Sequence, residues 1–342
     1  MGMTNAVSSI KRYGFAINKN DSNPATRFIY LYDAMGMTPA AMNYATGKFN
    51  YGSWGDVWFI KGNKPCMVKS DGTIDYYLKP DDYTKKEDGT ASDVANTSYG
   101  GNAMSYIPLV WIKRWEEGKY ECFSCCQTQY DSDYKAYAHT RADGSVMDYK
   151  LIAMFEGSYI SSKMRSLSGQ TVGVSQTAAT EISYATANGS LWYTQSFSEW
   201  SMIADLLRLI SRSDDAQTAF GYGRGGASAA LATGTLNNKG QFFGYSAAQS
   251  TVNAVKVFHI ENFWGNAWNR IAGLMNLSGK IYTKAIPPYN TTGSGYTNTN
   301  LVPAGTVGGY ANLTKMTEHG RVPYNAAGSA TTYTCDGFWF NN

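Results

Sequence analysis

The sequence is poor in the side chains that most enzymes use for catalysis. Of its 342 residues only three are histidine, and 16% are charged. His139, His259 and His319 are far apart along the chain, and none accompanies a recognisable nucleophile motif. His259 lies inside an apolar run, where a structural histidine is the expected role. These scarcities predict that the protein is not an enzyme.

Cysteine is also scarce, and its spacing does not complete a metal site. Cys122 and Cys125 are spaced like half of a zinc or redox pair, but no second pair or histidines follow at ligand spacing. Burial within a strand over residues 120–128 is the favoured interpretation. We expect neither a metal nor a cofactor. The five cysteines are Cys66, Cys122, Cys125, Cys126 and Cys335.

Long apolar runs and strong net charge are both missing. No stretch approaches the roughly 20 apolar residues of a membrane-spanning helix. The first residues lack the basic and apolar regions of a signal peptide. The net charge is +3, and the 29 Lys and Arg residues are scattered along the chain. We therefore expect no signal peptide, no membrane insertion and no nucleic-acid partner.

Glycine and tyrosine are abundant, with 35 and 26 residues, as in proteins rich in strands and loops. We predict a linker or docking end over residues 1–12 and a β-rich domain over residues 13–155. Within it, residues 107–115 and 120–127 form an antiparallel pair across a turn-like spacer. A second hairpin is predicted from residues 57–60 and 65–69. Residues 158–167 are predicted to form a short helix.

The clearest helix pattern covers residues 196–212. Ser196 and Glu199 have the spacing of a capping box, and Arg212 suits the last turn. Arg208 and the serines lie away from the apolar face. The pattern predicts a helix of the protein core. The apolar face consists of Trp200, Ile203, Leu206, Leu207 and Ile210.

A strand is predicted at residues 255–260, and it leads into a tight turn at Gly265 and Asn266. Trp264 and Trp268 flank this turn, and large rings in such positions commonly anchor a turn in the core. We therefore expect Trp264 and Trp268, together with Trp200 of the helix, to be core residues.

Residues 287–309 are predicted to form a long loop rich in Gly, Asn, Thr and Tyr, and loops of this length are usually functional or disordered. Tyr289 and Tyr296 lie in it, and Tyr310 follows it. Aromatic rings on a Gly, Ser and Asn scaffold are typical of antibody-like binding surfaces. The alternative interpretation is that each tyrosine packs under its own loop.

Glu199-Trp200 in a capped helix, followed by a Gly-rich region and then Gly265-Asn266-Ala267-Trp268, resembles the C-type-lectin-like domains of the formylglycine-generating-enzyme type. Phage tail receptor-binding proteins and the variable proteins of diversity-generating retroelements share this fold type. The sequence of residues 13–38 is similar to that of tail-tip proteins of gut bacteriophages. The resemblance implies an α+β chain whose residues 156–342 form the C-type-lectin-like domain, with few helices and long irregular loops.

By this resemblance the protein belongs to the virion tail and mediates host attachment. Its partners would be a bacterial surface glycan or protein and other tail proteins, with a homotrimer as the common oligomer of tail proteins. The enzyme of this fold type uses a pair of cysteines in its C-terminal half, where this chain has only Cys335, so the resemblance transfers the scaffold and not the activity.

The contact residues expected are Tyr289, Tyr296, Tyr310, Trp339 and Asn341. The chain stops before the terminal strands that carry the variable residues in the resembling proteins. The binding face is therefore expected to come from earlier loops, unless the protein is a shortened member of the group.

Two other functions fit the sequence. One is a structural tail or baseplate component. The other is an enzyme that degrades surface polysaccharide, which would need two carboxylates about 5 to 10 Å apart in a cleft. Glu261 and Glu318 are the carboxylates selected for that role.

Overall fold

The computed structural model describes residues 10–23, 26–224, 229–246, 253–304, 309–310, 313–325 and 337–338. Strands account for 34% of the chain and helices for 12%, so the protein is mostly β with few helices. This confirms the β-rich character expected from the composition. Within those ranges no helix has the length and apolarity needed to cross a membrane.

The helices are α1 (Trp58–Lys61), α2 (Ala178–Thr186), α3 (Phe197–Ser211) and α4 (Ala216–Phe220), with a 3-10 turn at Tyr137–His139. The strands before α2 are β1 (Tyr13–Asn18), β2 (Phe28–Tyr32), β3 (Ala41–Asn43), β4 (Lys48–Asn50), β5 (Lys64–Lys69), β6 (Ile74–Lys79), β7 (Asp82–Lys86), β8 (Gly101–Pro108), β9 (Trp111–Glu117), β10 (Tyr120–Cys126), β11 (Tyr149–Ala153), β12 (Ser158–Ile160) and β13 (Lys163–Arg165). Those after α4 are β14 (Lys256–Val257), β15 (Ile260–Glu261), β16 (Leu274–Leu277), β17 (Lys280–Thr283), β18 (Thr297–Asn298), β19 (Gly309–Tyr310), β20 (Leu313–Thr317), β21 (Gly320–Asn325) and β22 (Gly337–Phe338).

The two largest sheets of the described residues are antiparallel. One has the order β2-β1-β10-β9 and the other the order β11-β8-β5-β6-β7. The predicted hairpin of the first sheet is confirmed, because Tyr120 pairs with Glu117 and leaves Gly118 and Lys119 as the turn. On the core face of this sheet the rings of Phe15 and Phe123 stack with centroids 5.1 Å apart.

The cysteines of β10 are buried, as the sequence interpretation predicted. Cys122, Cys125 and Cys126 are free thiols, and burial raises the pKa of each. Cys335 lies outside the described residues. Among the described residues, no group of three or more His, Cys, Asp or Glu side chains could hold a metal ion.

Two predicted elements are wrong. Residues 58–61 form helix α1 and not a strand, and β5 pairs with β6 and β8 instead. The continuous apolar run has no alternation to fix a strand, and one helical turn buries Phe59 and Ile60 together. Residues 158–167 form the β12–β13 hairpin and not a helix, because Ser161 and Ser162 take left-handed φ values of 50° and 60° at its turn.

Helix α3 confirms the strongest prediction from the sequence. Ser196 is its N-cap, the capping box with Glu199 is complete, and Arg212 ends the helix with a φ of 54°. The side expected to lie away from the apolar face is buried too, since Asp205 and Arg208 are among its buried residues. The helix therefore has core on every side except at Trp200, which is half-buried.

The largest hydrophobic core takes side chains from both sides of the predicted domain boundary at residues 155 and 156. It includes Phe15 and Phe123 of the first sheet together with Leu206 of α3 and Val257 of β14. The boundary itself stays a prediction. The two parts pack against each other through this shared core.

A buried ionic network surrounds the polar side of α3. Asp214 accepts hydrogen bonds from Arg208 Nε at 2.8 Å and from Arg321 Nη1 at 2.8 Å. Arg321 Nε also donates to Glu121 Oε2 of β10 at 2.7 Å. Burial alone would raise the pKa of Asp214, but the surrounding guanidinium groups outweigh burial and lower it. The network joins the first sheet, α3 and the late strand β21 through charge-assisted hydrogen bonds.

We expect Asp214→Asn to destabilise the fold strongly, because it leaves buried guanidinium groups without their counter-charge. A loss of about 3 to 5 kcal/mol in unfolding free energy is typical for breaking a buried pair. Denaturant titration of the variant measures this loss.

Asp215→Asn is the matched control, since the same chemical change falls on the next residue. Asp215 is half-buried and caps α4 through Thr218 N, a role that Asn fills about equally well. Equal losses in the two variants would show that the network does not hold the fold.

Candidate binding loop

The structure describes two of the five predicted contact side chains. Tyr289 and Tyr296 lie on the segment between β17 and β18, residues 284–296, which we call the tyrosine loop. For Tyr310 the backbone is described, in β19 opposite Gly337. Trp339 and Asn341 lie outside the described residues. The tyrosine loop is therefore the part of the predicted surface whose geometry can be assessed.

Both tyrosines support the loop that carries them. Each ring is half-buried. The Tyr289 hydroxyl donates to Ala285 O at 3.2 Å, and the Tyr296 hydroxyl donates to Asn290 O at 3.1 Å. These contacts match the alternative in which each tyrosine packs under its own loop.

The tip of the loop is polar and closed by its own hydrogen bonds. Asn290 Nδ2 donates to Ser294 O at 2.9 Å, and Asn290 Oδ1 accepts from Thr292 N at 3.1 Å. The residues that face solvent are Thr291, Thr292, Ser294 and Gly295. The loop thus presents hydroxyl and backbone groups in a fixed arrangement, a feature that sequence reasoning missed because it looked to the tyrosines.

A close backbone approach holds the base of the loop. Lys284 N donates to Gly273 O at 2.7 Å, and Lys284 Nζ donates to Pro288 O at 2.6 Å. Gly273 has a φ of 83°, and a Cβ there would lie 2.5 Å from Lys284 O and 3.0 Å from Tyr289 Cε1. Only glycine fits this position without displacing the loop.

The loop is anchored on the first turn of α3. Ser198 Oγ donates to Ala285 O at 2.5 Å, and the ring of Tyr289 meets that of Tyr193 edge-on with centroids 5.4 Å apart. Tyr193 in turn donates to Glu199 Oε1 at 2.8 Å, where Lys150 Nζ lies 2.7 Å away. Glu199 therefore caps the helix and also positions the loop.

The Gly265–Asn266 turn clamps a neighbouring segment. Gly265 and Asn266 take left-handed φ values of 79° and 65°. Asn266 Oδ1 accepts from Leu231 N at 2.6 Å, and Asn266 Nδ2 donates to Leu231 O at 3.3 Å. Glycine and asparagine are the residues that adopt this conformation most readily, which explains their place here.

The tryptophans around this turn differ from the prediction. Trp264 and Trp200 are half-buried and pack against the apolar core, and Trp264 Nε1 donates to Gly221 O at 3.2 Å. Trp268 is 65% exposed, so its assignment as a core residue is wrong. Two successive left-handed residues turn the chain outward before Trp268 is reached.

The predicted strand at residues 255–260 is also wrong in part. Strands β14 and β15 form a hairpin whose two turn residues, Phe258 and His259, have φ values of 50° and 62°. Both central residues of a type I′ turn take positive φ, and Asn-Gly is its usual sequence. An apolar Phe-His pair carries no such signal, so the sequence pattern continued through the turn as one strand.

Glu156 is a half-buried glutamate that the sequence did not single out. Its side chain lies beside the Gly265–Asn266 turn, and its Oε2 accepts hydrogen bonds from Asn262 Nδ2 at 3.0 Å and also from Asn266 Nδ2. Burial raises the pKa of Glu156 to about 7, although hydrogen bonds from Asn266 and Asn262 oppose the rise. The group is therefore partly protonated at neutral pH.

The two carboxylates of the enzyme alternative have separate surroundings. Glu261 is buried and accepts hydrogen bonds from Gly234 N at 3.0 Å and Leu236 N at 3.1 Å. Glu318 is exposed at the turn between β20 and β21 and accepts from the Tyr137 hydroxyl at 2.8 Å. None of their hydrogen-bond partners among the described residues is shared, so no cleft between them follows from these contacts.

In comparisons with known proteins, no protein-family model matches the chain, and no curated protein matches it. The function proposed below therefore rests on the geometry of the loop and on the resemblance of the two motifs.

We expect the stability of the protein to fall as the pH rises through the titration of Glu156. Between its ordinary pKa of 4.5 and the folded value of about 7, the folded chain keeps a proton that the unfolded chain has lost. Glu156→Gln removes this difference. The variant should gain on the order of 2 kcal/mol over the natural protein at pH 8, and much less at pH 4.

Chemical denaturation at the two pH values measures the effect. Glu117→Gln changes an exposed glutamate in β9 and should leave the pH dependence unaltered. An identical pH dependence in Glu156→Gln and the natural protein would mean that Glu156 titrates normally.

Proposed function

We propose that the chain is a phage tail receptor-binding protein that attaches the virion to a glycan on the bacterial surface. In this proposal residues 156–342 form a C-type-lectin-like domain akin to the variable proteins of diversity-generating retroelements. The β-rich first part would join the protein to other tail proteins. The resemblance is supported by the places of its two motifs, since Glu199 completes the cap of α3 and Gly265–Asn266 forms a clamped turn.

The observation that carries the proposal is the order of the tyrosine loop. A polar tip rich in hydroxyl groups is held from within by Asn290 and Tyr296, and from below by Tyr289 and the first turn of α3. Such pre-organisation lowers the entropy lost on binding. Hydroxyl and amide groups on a fixed scaffold suit a polyhydroxylated ligand, because they form hydrogen bonds without requiring a charge.

The exposed face of this tip can be blocked without touching its supports. Thr291→Arg and Ser294→Arg place a long side chain on exposed residues, and neither side chain makes a described hydrogen bond that holds the loop. We expect each variant to bind host cells at least tenfold more weakly, with an unchanged melting temperature. Cell binding of the fluorescently labelled protein measures this loss.

Ser132→Arg is the matched control, because Ser132 is an exposed serine on a different loop. Its cell binding should equal that of the natural protein. If both tip variants bind as strongly as the natural protein, the tyrosine loop does not contact the receptor.

The receptor class is tested on a panel of gut bacteria, with and without periodate oxidation of the cells. Selective binding that periodate abolishes is the expected result. Binding that resists periodate would indicate a protein receptor and not a glycan. Absence of binding to every strain, together with stable assembly, would favour a structural tail or baseplate component.

A further inference from the structure

A pocket of about 390 Å³ lies away from the tyrosine loop and shares no residue with it. Its walls come from α1 and the residues on either side of it, the turn between β6 and β7, the segment at Gly240 and Gln241, and the turn between β14 and β15. The residues that matter for its chemistry are Tyr51, Asn63, Pro80, Gly240, Gln241 and His259. Its volume is near the small end of the roughly 300 to 1,000 Å³ typical of ligand pockets.

The inner polar groups of the pocket are fixed by hydrogen bonds. Gln241 Nε2 donates to Ile60 O at 2.9 Å and to Asn63 Oδ1 at 2.7 Å, while Gln241 Oε1 accepts from the Tyr51 hydroxyl at 3.1 Å. Asn63 Nδ2 continues the chain to Ser105 Oγ at 2.8 Å. These amides cannot rotate without breaking buried hydrogen bonds, so the pocket is pre-formed.

The turn that carries His259 is strained and held in place by its surroundings. Both Phe258 and His259 are buried with left-handed backbones, which bulky residues rarely adopt. Ser105 Oγ donates to Phe258 O at 2.6 Å, and His259 N donates to Gln241 O at 3.0 Å. Backbone strain of this kind persists where the surrounding structure enforces it, and it is concentrated at functional sites.

The imidazole of His259 presents one nitrogen that the described residues leave unpaired. Its Nδ1 lies 2.7 Å from the hydroxyl of Tyr83, which is fully buried and has no other described hydrogen-bond partner. The hydroxyl must therefore donate to Nδ1, since otherwise its own proton would be buried without an acceptor. Burial and the nearby Lys256 lower the pKa of His259 well below its ordinary value, so the ring is neutral. Its remaining proton is then on Nε2, which is a donor without a hydrogen-bond partner among the described residues.

Charges at the rim are neutralised by ion pairs. Lys61 Nζ lies 2.9 Å from Asp56 Oδ1, and Asp81 Oδ1 lies 3.3 Å from Lys79 Nζ. The groups further inside are amides, a hydroxyl and a neutral imidazole. Among the described residues that line the pocket, an anionic ligand would find no free cation and a cationic ligand no free carboxylate, so the chemistry favours an uncharged ligand.

We propose that this pocket binds a single neutral pyranose ring, with the Nε2–H of His259 donating to a sugar oxygen. The Tyr51 hydroxyl oxygen and Gln241 Oε1 keep lone pairs that can accept hydrogen bonds from sugar hydroxyls. The ring of Tyr51 and the pyrrolidine of Pro80 provide apolar surface for the C–H face of the sugar. The pocket is a second binding site, and its occupation does not depend on the proposed role of the tyrosine loop.

Gly240 allows the pocket to be filled without disturbing the fold. Its backbone is not left-handed, and a Cβ there would meet nothing within 4 Å. Gly240→Leu should therefore fold normally and occupy the space of the sugar. Gly100→Leu is the matched control, since Gly100 is also exposed with open space around a Cβ and does not line the pocket.

The test uses the full chain and the free monosaccharides glucose, galactose, mannose and N-acetylglucosamine, with calorimetry and saturation-transfer NMR as readouts. We expect at least one of them to bind the natural protein and the Gly100→Leu protein with equal Kd. Gly240→Leu should raise that Kd at least tenfold. Absence of binding by all four sugars, or equal binding by Gly240→Leu, would overturn the proposal.

Two further readouts test whether the sugar must be uncharged and whether His259 is the hydrogen-bond donor. Glucuronic acid should bind at least tenfold more weakly than glucose, and tighter binding of the acid would exclude a neutral-sugar pocket. Only three histidines are present, so ¹⁵N-labelled imidazoles are readily resolved. Sugar addition should shift the Nε2 resonance of one neutral histidine. If no histidine resonance of the natural protein moves at saturation, His259 is excluded as the donor.

These experiments fail independently of those on the tyrosine loop. Gly240→Leu changes no residue of that loop, so loss of monosaccharide binding with normal cell attachment locates the sugar in the pocket. Loss of cell attachment in Thr291→Arg with normal monosaccharide binding assigns the receptor contact to the loop.

Discussion

Buried charges determine how helix α3 packs against the first sheet and the late strand β21. Helix α3 buries Asp205 and Arg208 on the side turned away from its apolar face. Neither group can be buried alone, because an unpaired ion in the interior costs several kcal/mol. The two groups pair with each other, and their other partners must reach the helix as well. Asp205 also pairs with Arg114 of β9, and Arg208 pairs with Asp214 after the helix. Asp214 in turn binds Arg321 of β21, which also binds Glu121 of β10.

This requirement sets the position of the tyrosine loop. Once the ionic network fixes α3 against the first sheet, the cap at Ser196 and Glu199 has a defined place. Glu199 then holds Tyr193, and Tyr193 packs against Tyr289 in the loop. The cap at Ser196 and the charged residues of α3 lie on one helix, which is about 20 Å long at a rise of about 1.5 Å per residue. The position of the tyrosine loop therefore depends on charges within about that distance.

Local signals predicted what local interactions determine. The bounds of α3 followed from its capping residues and its apolar spacing, and the hairpin of β9 and β10 followed from two aromatic runs and a short spacer. The burial of the polar side of α3 could not be predicted, because Arg321 and Asp214 are 107 positions apart and no pattern marks them as partners. The Phe258–His259 turn was missed because tertiary packing, and not turn-forming residues, imposes its backbone. Of the candidate site, the loop was found from its composition, whereas its supports in Gly273, Tyr193 and Glu199 needed the structure.

The loop separates residues that hold its shape from residues that face solvent. Gly273, Tyr289 and Asn290 form the contacts that fix the backbone; Gly273 is buried, and the side chains of Tyr289 and Asn290 are half-buried. Thr291 and Ser294 are exposed, and replacing them costs the loop no described side-chain hydrogen bond. A surface of this kind can change its tip residues without losing its fold, since the free energy that orders it comes from other positions. In the proposed receptor-binding role this separation would place specificity at the tip and stability in the supports.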